Sequence, residues 1–111
     1  MINAASLPIP GQFVRVSRGR DAGQYAIIVR LADEKFVFLA DGDKRKFDSP
    51  KKKNILHLRL FDQVSPEVHN SIMETGRVTN GKLRYALAKF LNEHLSEIEK
   101  GDEVDGERRC Y

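Results

Sequence analysis

A short loop with two glycines, flanked on both sides by strand-like sequence, constrains the fold of this chain more than any other feature. Residues 13–16 before the loop read Phe-Val-Arg-Val, and residues 25–31 after it read Tyr-Ala-Ile-Ile-Val-Arg-Leu, patterns typical of β-strands. Gly19 and Gly23 can adopt a positive φ without a steric clash, so the chain can reverse sharply between the strands. The sequence therefore predicts a β-hairpin with two arginines at its tip, and in water only an anion would bind them strongly.

More short β-segments are predicted before residue 60. An apolar strand is expected at 36–40, and Asp41-Gly42 after it is typical of a tight reversal. We expect a short basic strand at 44–47, and residues 54–60 can supply either a last strand or a single helical turn. Five short strands at this spacing favour a small, strongly curved barrel, because so few strands bury a core only by wrapping around it.

After residue 60 the apolar period changes from two to 3.6, which predicts helices. Ser65 and Pro66 form an N-cap and first-turn pair for a short helix that ends at Gly76. A second helix begins near residue 79, and its apolar residues recur at helical spacing: Leu83, Ala86, Leu87, Phe90, Leu91, Leu95 and Ile98. Apolar residues occupy both faces of the strand at 36–40, so we expect the helices to dock outside the barrel, on Phe36 and Phe38.

Together these elements predict one α+β domain that is mainly β, which is what a chain of 111 residues can support. Its parts are an extended arm at 1–10, a five-stranded barrel at 11–60, a helical appendage packed on the barrel at 61–100, and a disordered tail at 101–111. No apolar run approaches the ~20 residues that span a bilayer, and the start lacks the features of an export signal. We therefore expect a cytoplasmic protein without membrane contact.

The net charge of +3 hides a division along the chain. Up to Leu60 there are twelve Lys or Arg against six Asp or Glu, whereas from Phe61 onward there are seven against ten. The basic excess thus belongs to the predicted β-region. A positive potential concentrated there attracts polyanions and speeds their encounter with the protein.

An ordered series of short segments carries a family resemblance. These are Gly-Arg-Asp-Ala-Gly at 19–23, Asp-Glu-Lys-Phe-Val-Phe-Leu-Ala-Asp-Gly at 33–42 and Asn-Ile-Leu-His-Leu at 54–58. The series resembles the KOW domain of large-subunit ribosomal protein fourteen of archaea and eukaryotes, and the bacterial KOW RNA-binding proteins similar to it. One departure is Ala26, where KOW motifs often carry a second glycine. The resemblance covers roughly half the chain and implies an SH3-like KOW barrel that binds ribosomal or other structured RNA, with ribosomal proteins as further candidate partners.

Most candidate RNA-binding residues are cations of the hairpin and the later sheet, and one aromatic residue and one histidine accompany them. They are Arg15, Arg18, Arg20, Tyr25, Lys44, Arg45, Lys46, Lys51, Lys52, Lys53 and His57, with Gly19, Gly23 and Gly42 as structural turn residues. Lys and Arg suit phosphate because each neutralised phosphate releases counterions, and Arg can bond two oxygens at once. The alternatives are a solubilising surface for the lysine run and a structural role for His57.

The aromatic residues of the strands have two interpretations. Tyr25, Phe36, Phe38 and Phe47 can act as stacking platforms for splayed bases, or they can form the surface on which the amphipathic helix docks.

No catalytic or metal-binding pattern is present in the sequence. The three histidines are far apart, the single Cys110 allows no thiolate cluster, and no nucleophile elbow or phosphate-loop motif occurs. We expect a non-catalytic protein without a cofactor or metal. Two functions remain open: an RNA-binding module that uses the basic hairpin loop and strand edge, or a protein-interaction module of the transcription or translation machinery. The second depends on the apolar face around Phe90 and Leu91 being exposed.

Overall fold

The computed structural model describes the backbone of residues 8–106 and the side chains of residues 8–94. The elements are β1 Gln12–Val16, β2 Tyr25–Leu31, β3 Phe36–Ala40, β4 Lys51–Asn54, β5 Leu58–Val64, α1 Pro66–Thr75 and α2 Asn80–Gly106, with a 3-10 turn at Ile55–His57 between β4 and β5. The small α+β fold is confirmed. α2 continues past residue 100, where the helical part was predicted to end. Most of the predicted arm and residues 107–111 of the predicted tail lie outside the described residues.

The five strands form one antiparallel sheet in the order β4-β3-β2-β1-β5. The described strands do not close into the predicted barrel, because β4 and β5 remain the two edges of the sheet. The 3-10 turn joins these edges at one end only. There the backbone N–H of Ile55 donates to the carbonyl of Lys35 at 2.8 Å, and the N–H of Ser17 donates to the carbonyl of His57 at 2.7 Å.

The fourth strand is the lysine run itself, and the prediction of a basic strand at 44–47 is wrong. The carboxylate of Asp41 accepts hydrogen bonds from the N–H groups of Asp43 and Arg45, at 2.8 and 2.9 Å. The N–H of Phe47 donates to the side chain of Asn80 at 2.7 Å. These backbone N–H groups donate to side chains, so they cannot pair with a neighbouring strand. The chain therefore remains a loop until β4 begins.

The sheet separates two apolar cores. The helix-side core contains Phe13, Ile27, Val29, Ala40, Phe61, Val68, Val78, Leu83, Ala86 and Phe90. The second core, on the opposite face, contains Val14, Val16, Ala26, Ile28, Val37 and Leu39. Cross-strand partners share a face, which places Phe13 and Ile27 in one core and Val14 and Ala26 in the other.

Aromatic rings fix α2 on the sheet, at a different place from the predicted one. The ring of Phe90 stacks on Phe13 with centroids 4.2 Å apart and meets Phe61 at 5.3 Å. Burial of such a side chain contributes about 1.5 to 3 kcal/mol. The predicted surface was Phe36 and Phe38, but Phe38 packs only at the margin of the helix-side core and Phe36 in neither core. The helices instead share a core with Phe13 of β1, Ile27 and Val29 of β2, and Phe61 of β5.

Helix α1 begins and ends as the sequence predicts. Ser65 is the N-cap, and its hydroxyl accepts a hydrogen bond from the N–H of Val68 at 3.2 Å. Pro66 occupies the first turn, and Gly76 ends the helix in the left-handed conformation with a φ of 77°. Neither helix, over the residues that the structure describes, is long and apolar enough to cross a lipid bilayer.

Candidate nucleic-acid interface

The loop between β1 and β2 is closed by backbone hydrogen bonds. The N–H of Gly23 donates to the carbonyl of Val16 at 2.7 Å, and the N–H of Ala22 donates to the carbonyl of Gly19 at 3.1 Å. Both glycines have a φ of 92°, which a residue with a Cβ rarely adopts. This turn leaves Arg18 and Arg20 exposed at the tip.

Beside this loop lies a cleft of about 270 Å³, which we call the basic cleft. It is lined by Val16, Asp21, Gln24, Tyr25, Ala26, Leu39, Asp41, Lys44, Arg45, Lys51 and Lys53. Four structural parts contribute these residues: the β1–β2 hairpin, β3, the loop after β3, and β4. The cations of the cleft come from the loop after β3 and from β4, and the fold places them beside Asp21 of the hairpin loop, which lies more than twenty residues earlier in the sequence.

The lysines of β4 are divided between the two faces of the sheet. Lys51 and Lys53 pair with Leu39 and Val37, which belong to the second core, so these two lysines project toward the basic cleft. Lys52 projects to the opposite face, where its ammonium lies 4.9 Å from the centre of the Phe36 ring. One strand therefore carries two lysines on the cleft side and one lysine of the same charge on the opposite face.

Lys53 crosses from β4 to the hairpin loop. A Cβ placed on Gly19 would lie 3.3 Å from the Nζ of Lys53, so this ammonium lies directly beside the turn. Both Lys51 and Lys53 are half-buried, because their aliphatic stems run over apolar side chains while the charged ends reach the rim.

Helix α2 holds the loop that carries Lys44 and Arg45. The guanidinium of Arg84 donates to the carbonyl of Gly42 at 2.7 Å, and Asn80 accepts the hydrogen bond from Phe47. Gly42 has a φ of 82°, and a Cβ there would collide with the carbonyl oxygen of Asn80 and lie 3.0 Å from the backbone nitrogen of Arg84. Only glycine allows this close approach, so the turn and the helix position the loop jointly.

Positive charge on the rim of the cleft is not neutralised by neighbouring side chains. Among the described residues, Lys44, Arg45, Lys51 and Lys53 form no ion pair. Two carboxylates, those of Asp21 and Asp41, also line the cleft. The cations therefore keep their attraction for a polyanion, and the carboxylates add acceptors to the same site.

Of the other predicted site residues, Lys46, His57 and Arg15 do not line the cleft, whereas Tyr25 lines it and also packs elsewhere. Lys46 is exposed and donates to the carbonyl of Asp43 at 3.1 Å, and His57 lies in the 3-10 turn with its carbonyl bonded to Ser17. The guanidinium carbon of Arg15 lies 5.9 Å from the ring centre of Tyr25. The Tyr25 ring stacks at 6.2 Å on Phe61, so this part of Tyr25 packs with the helix-side core.

Sequence reasoning missed two residues of this region, Asn80 and Arg84. Asn80 precedes the apolar stripe of α2, and Arg84 lies between two of its apolar positions. Polar residues at such positions normally only contact solvent. The pattern of a single helix contains no signal for a contact with a loop some forty residues earlier. The described residues also contain no group of three or more His, Cys, Asp or Glu side chains placed to hold a metal ion.

Comparison with known proteins gives an informative relative. No family model matches the chain. The "Putative ribosome-binding protein YbzG" of Bacillus subtilis (strain 168) is 54% identical over 70 residues. These residues are 63% of this chain and 95% of the relative, so nearly the whole relative is matched while more than a third of this chain is not.

Proposed function

This chain belongs to the same family as the Bacillus subtilis protein YbzG, and from that premise we propose that it is a non-catalytic protein that binds ribosomal RNA in the ribosome. The basic cleft and the hairpin tip beside it are the proposed contact surface. Ribosome binding would place the protein in the cytoplasm. The resemblance to KOW domains supports RNA as the component that is contacted, and the strand order of the sheet is compatible with an SH3-like barrel that is left open.

The observation that carries this proposal is the gathering of cations from two separate parts of the fold around one cleft beside the hairpin loop. Lys44 and Arg45 come from one loop and Lys51 and Lys53 from β4, and none is held by an ion pair within the described residues. A phosphate backbone meets several such charges at once and releases counterions for each phosphate neutralised. Contacts of this kind set position and affinity on a folded RNA.

A salt titration tests the electrostatic mechanism. Affinity of the protein for purified ribosomes, and separately for ribosomal RNA, is measured at a series of salt concentrations. If roughly four to six phosphates are neutralised, log Kd changes with log salt by a slope of magnitude about 3 to 5. A flat response would contradict the mechanism. Binding to ribosomes without binding to their RNA would instead identify a ribosomal protein as the partner.

The lysines of β4 project to two faces of the sheet, which allows a matched test of the basic cleft as the contact surface. Lys51→Glu and Lys53→Glu are expected to weaken ribosome binding by about tenfold or more each, since a charge-assisted contact contributes about 1.5 to 3 kcal/mol. Lys52→Glu makes the same change of charge on the opposite face and is expected to have a much smaller effect. Equal losses from all three variants would show that net charge, and not the cleft, determines binding.

The alternative of a protein-interaction module loses the feature that suggested it. That hypothesis requires the apolar face of α2 to be exposed, but Phe90 is only 3% exposed and Leu83 is fully buried. Over the part of α2 whose side chains are described, up to residue 94, the apolar face packs on the sheet of the same chain.

A further inference from the structure

The basic cleft has an apolar floor, which a surface for phosphate alone does not need. Val16, Ala26 and Leu39 of the second core lie at its base, beneath the charged rim. Water over an apolar floor is displaced favourably by a flat apolar group and not by a phosphate. At about 270 Å³, the space is at or just below the ~300 to 1,000 Å³ range of small-molecule pockets, which suits one ring system and not a duplex.

The rim supplies positive charge from two sides. Lys51 and Lys53 project from β4, and Lys44 and Arg45 come from the loop after β3. Cations around an apolar floor fit a ligand that combines a flat ring system with a phosphate, and a nucleotide of RNA is such a ligand.

Asp21 restricts further the kinds of ligand that fit the cleft. Its side chain lines the cleft and accepts no hydrogen bond from the part of the chain that the structure describes, whereas the Asp41 carboxylate already accepts two from its own loop. A carboxylate in this position repels a simple anion, and because it accepts hydrogen bonds it favours a ligand that presents N–H or O–H donors toward it.

Among the four RNA bases, only guanine presents two adjacent donors, the N1–H and the exocyclic N2 amine, which match the two oxygens of a carboxylate. Adenine and cytosine place a ring nitrogen acceptor beside the amine, and uracil flanks its single N–H with two carbonyl oxygens. A carboxylate therefore favours guanine and repels the corresponding edge of the other bases.

From these observations we propose that the basic cleft binds one unpaired guanosine nucleotide of RNA. The base lies over Val16, Ala26 and Leu39 with its Watson–Crick edge toward Asp21, and the phosphate is held by the cations of the rim. This inference rests on the proposed function and specifies which RNA feature the same site recognises.

The test uses the full chain and short fluorescent RNAs. An oligouridine with one central guanosine is compared with the same oligomer carrying adenosine, cytidine, uridine or inosine at that position, and Kd is measured at one salt concentration. The guanosine oligomer is expected to bind about tenfold to a hundredfold more tightly than the others. Inosine lacks the N2 amine and is expected to lose most of this preference.

Two variants separate recognition of the base from attraction of the charge. Asp21→Asn is expected to abolish the preference for guanosine without weakening binding to plain oligouridine, because it removes a negative charge from the cleft. Asp62→Asn makes the same substitution at an exposed position of β5 and is expected to leave the preference unchanged. A thermal melt of each variant shows that it is folded.

Each outcome has a defined meaning. Equal affinity for all five oligomers, with a steep salt dependence, would overturn the guanosine inference and leave the proposed function intact. Tight binding of free guanosine monophosphate without a preference among the RNAs would overturn RNA as the source of the nucleotide. Failure to bind either ribosomes or any oligomer would overturn the proposed function and the inference together.

Discussion

At the scale of single residues, Gly42 and Gly23 share a backbone conformation but differ in surroundings. Both have a positive φ, yet a Cβ on Gly42 would strike α2, while a Cβ on Gly23 would meet no atom within 4 Å. The sequence predicts both as turn residues from their spacing. It cannot reveal which of them also lies against another element, because the helix in question begins almost forty residues later.

A comparison of Gly42→Ala with Gly23→Ala therefore separates the cost of backbone strain from the cost of steric crowding against α2. The positive φ alone costs about 1 to 3 kcal/mol in each variant, and Gly42→Ala adds the cost of moving α2 away from the loop. We expect the loss of unfolding free energy, measured by urea denaturation, to be clearly larger for Gly42→Ala. Equal losses would mean that the loop yields without disturbing the helix.

Glu67 in the first turn of α1 makes stability depend on pH. A hydrogen bond from its own backbone N–H, and a second from the Ser65 hydroxyl, lower the pKa of Glu67 from its ordinary value of 4.5. Since the folded pKa is below the unfolded one, this stabilisation is complete above the unfolded pKa and is lost as the pH falls through the folded pKa. Folding therefore favours the ionised form of the Glu67 carboxylate.

Glu67→Gln is thus expected to lower the thermal midpoint at pH 7 and to leave it nearly unchanged at a pH well below 4. Glu74→Gln, at the other end of the same helix, is the control and should cause no loss at pH 7, because a negative charge near a helix C-terminus is unfavourable. A constant difference between Glu67→Gln and the parent at every pH would contradict the assignment.

At the scale of elements, α2 acts on the basic loop through Arg84. Removal of its hydrogen bond to the Gly42 carbonyl frees the loop that carries Lys44 and Arg45. Ordering a freed side chain on binding costs about 0.5 to 1.5 kcal/mol, so Arg84→Met is expected to weaken ribosome binding about two- to tenfold. Hydrogen exchange of the amides at 43–46 should become faster in the same variant.

Lys82→Met is the control for this element. It removes one positive charge from the same helix at an exposed position, with no bond to the loop. It should leave both the exchange rates and the affinity close to those of the parent. A loss equal to that of Arg84→Met would show that charge on α2, and not the position of the loop, is responsible.

The elements also show where sequence patterns are reliable. The strands at 25–31 and 36–40 and the caps of α1 follow from local alternation and from local hydrogen bonds, and all are found as predicted. The strand expected at 44–47 fails because Asp41 and Asn80 take its N–H donors. One of these acceptors is close in sequence and the other belongs to α2, so hydrophobic periodicity could not detect the competition.

At the scale of the whole molecule, the helices and the sheet share one core and should unfold together. Phe90→Ala removes the ring that stacks on Phe13 and contacts Phe61, and we expect a loss of about 3 to 5 kcal/mol of unfolding free energy. Tyr85→Ala is the matched control, since Tyr85 is 62% exposed on the same helix. Loss of helix without loss of sheet in Phe90→Ala would contradict a single cooperative unit.

The candidate site could be predicted only in part from the sequence. The charge division placed the cations in the β-region, and the structure brings four of them to one cleft. Lys52 projects to the other face because side chains alternate along β4. Three identical residues show no such alternation, and the sequence did not predict a strand there. The apolar floor and Asp21 lie beside the lysines only because strands that are distant in sequence pair with one another.

The free border of β4 has a consequence for the protein before it meets any partner. Within the described residues no further strand pairs with its outer side, and such borders are where β-proteins associate with one another. Three successive ammonium groups on that border make a second copy of the chain an unfavourable neighbour. A polyanion that cancels those charges would also lift this protection, so we expect crowding along a long RNA to be the condition under which self-association first becomes measurable.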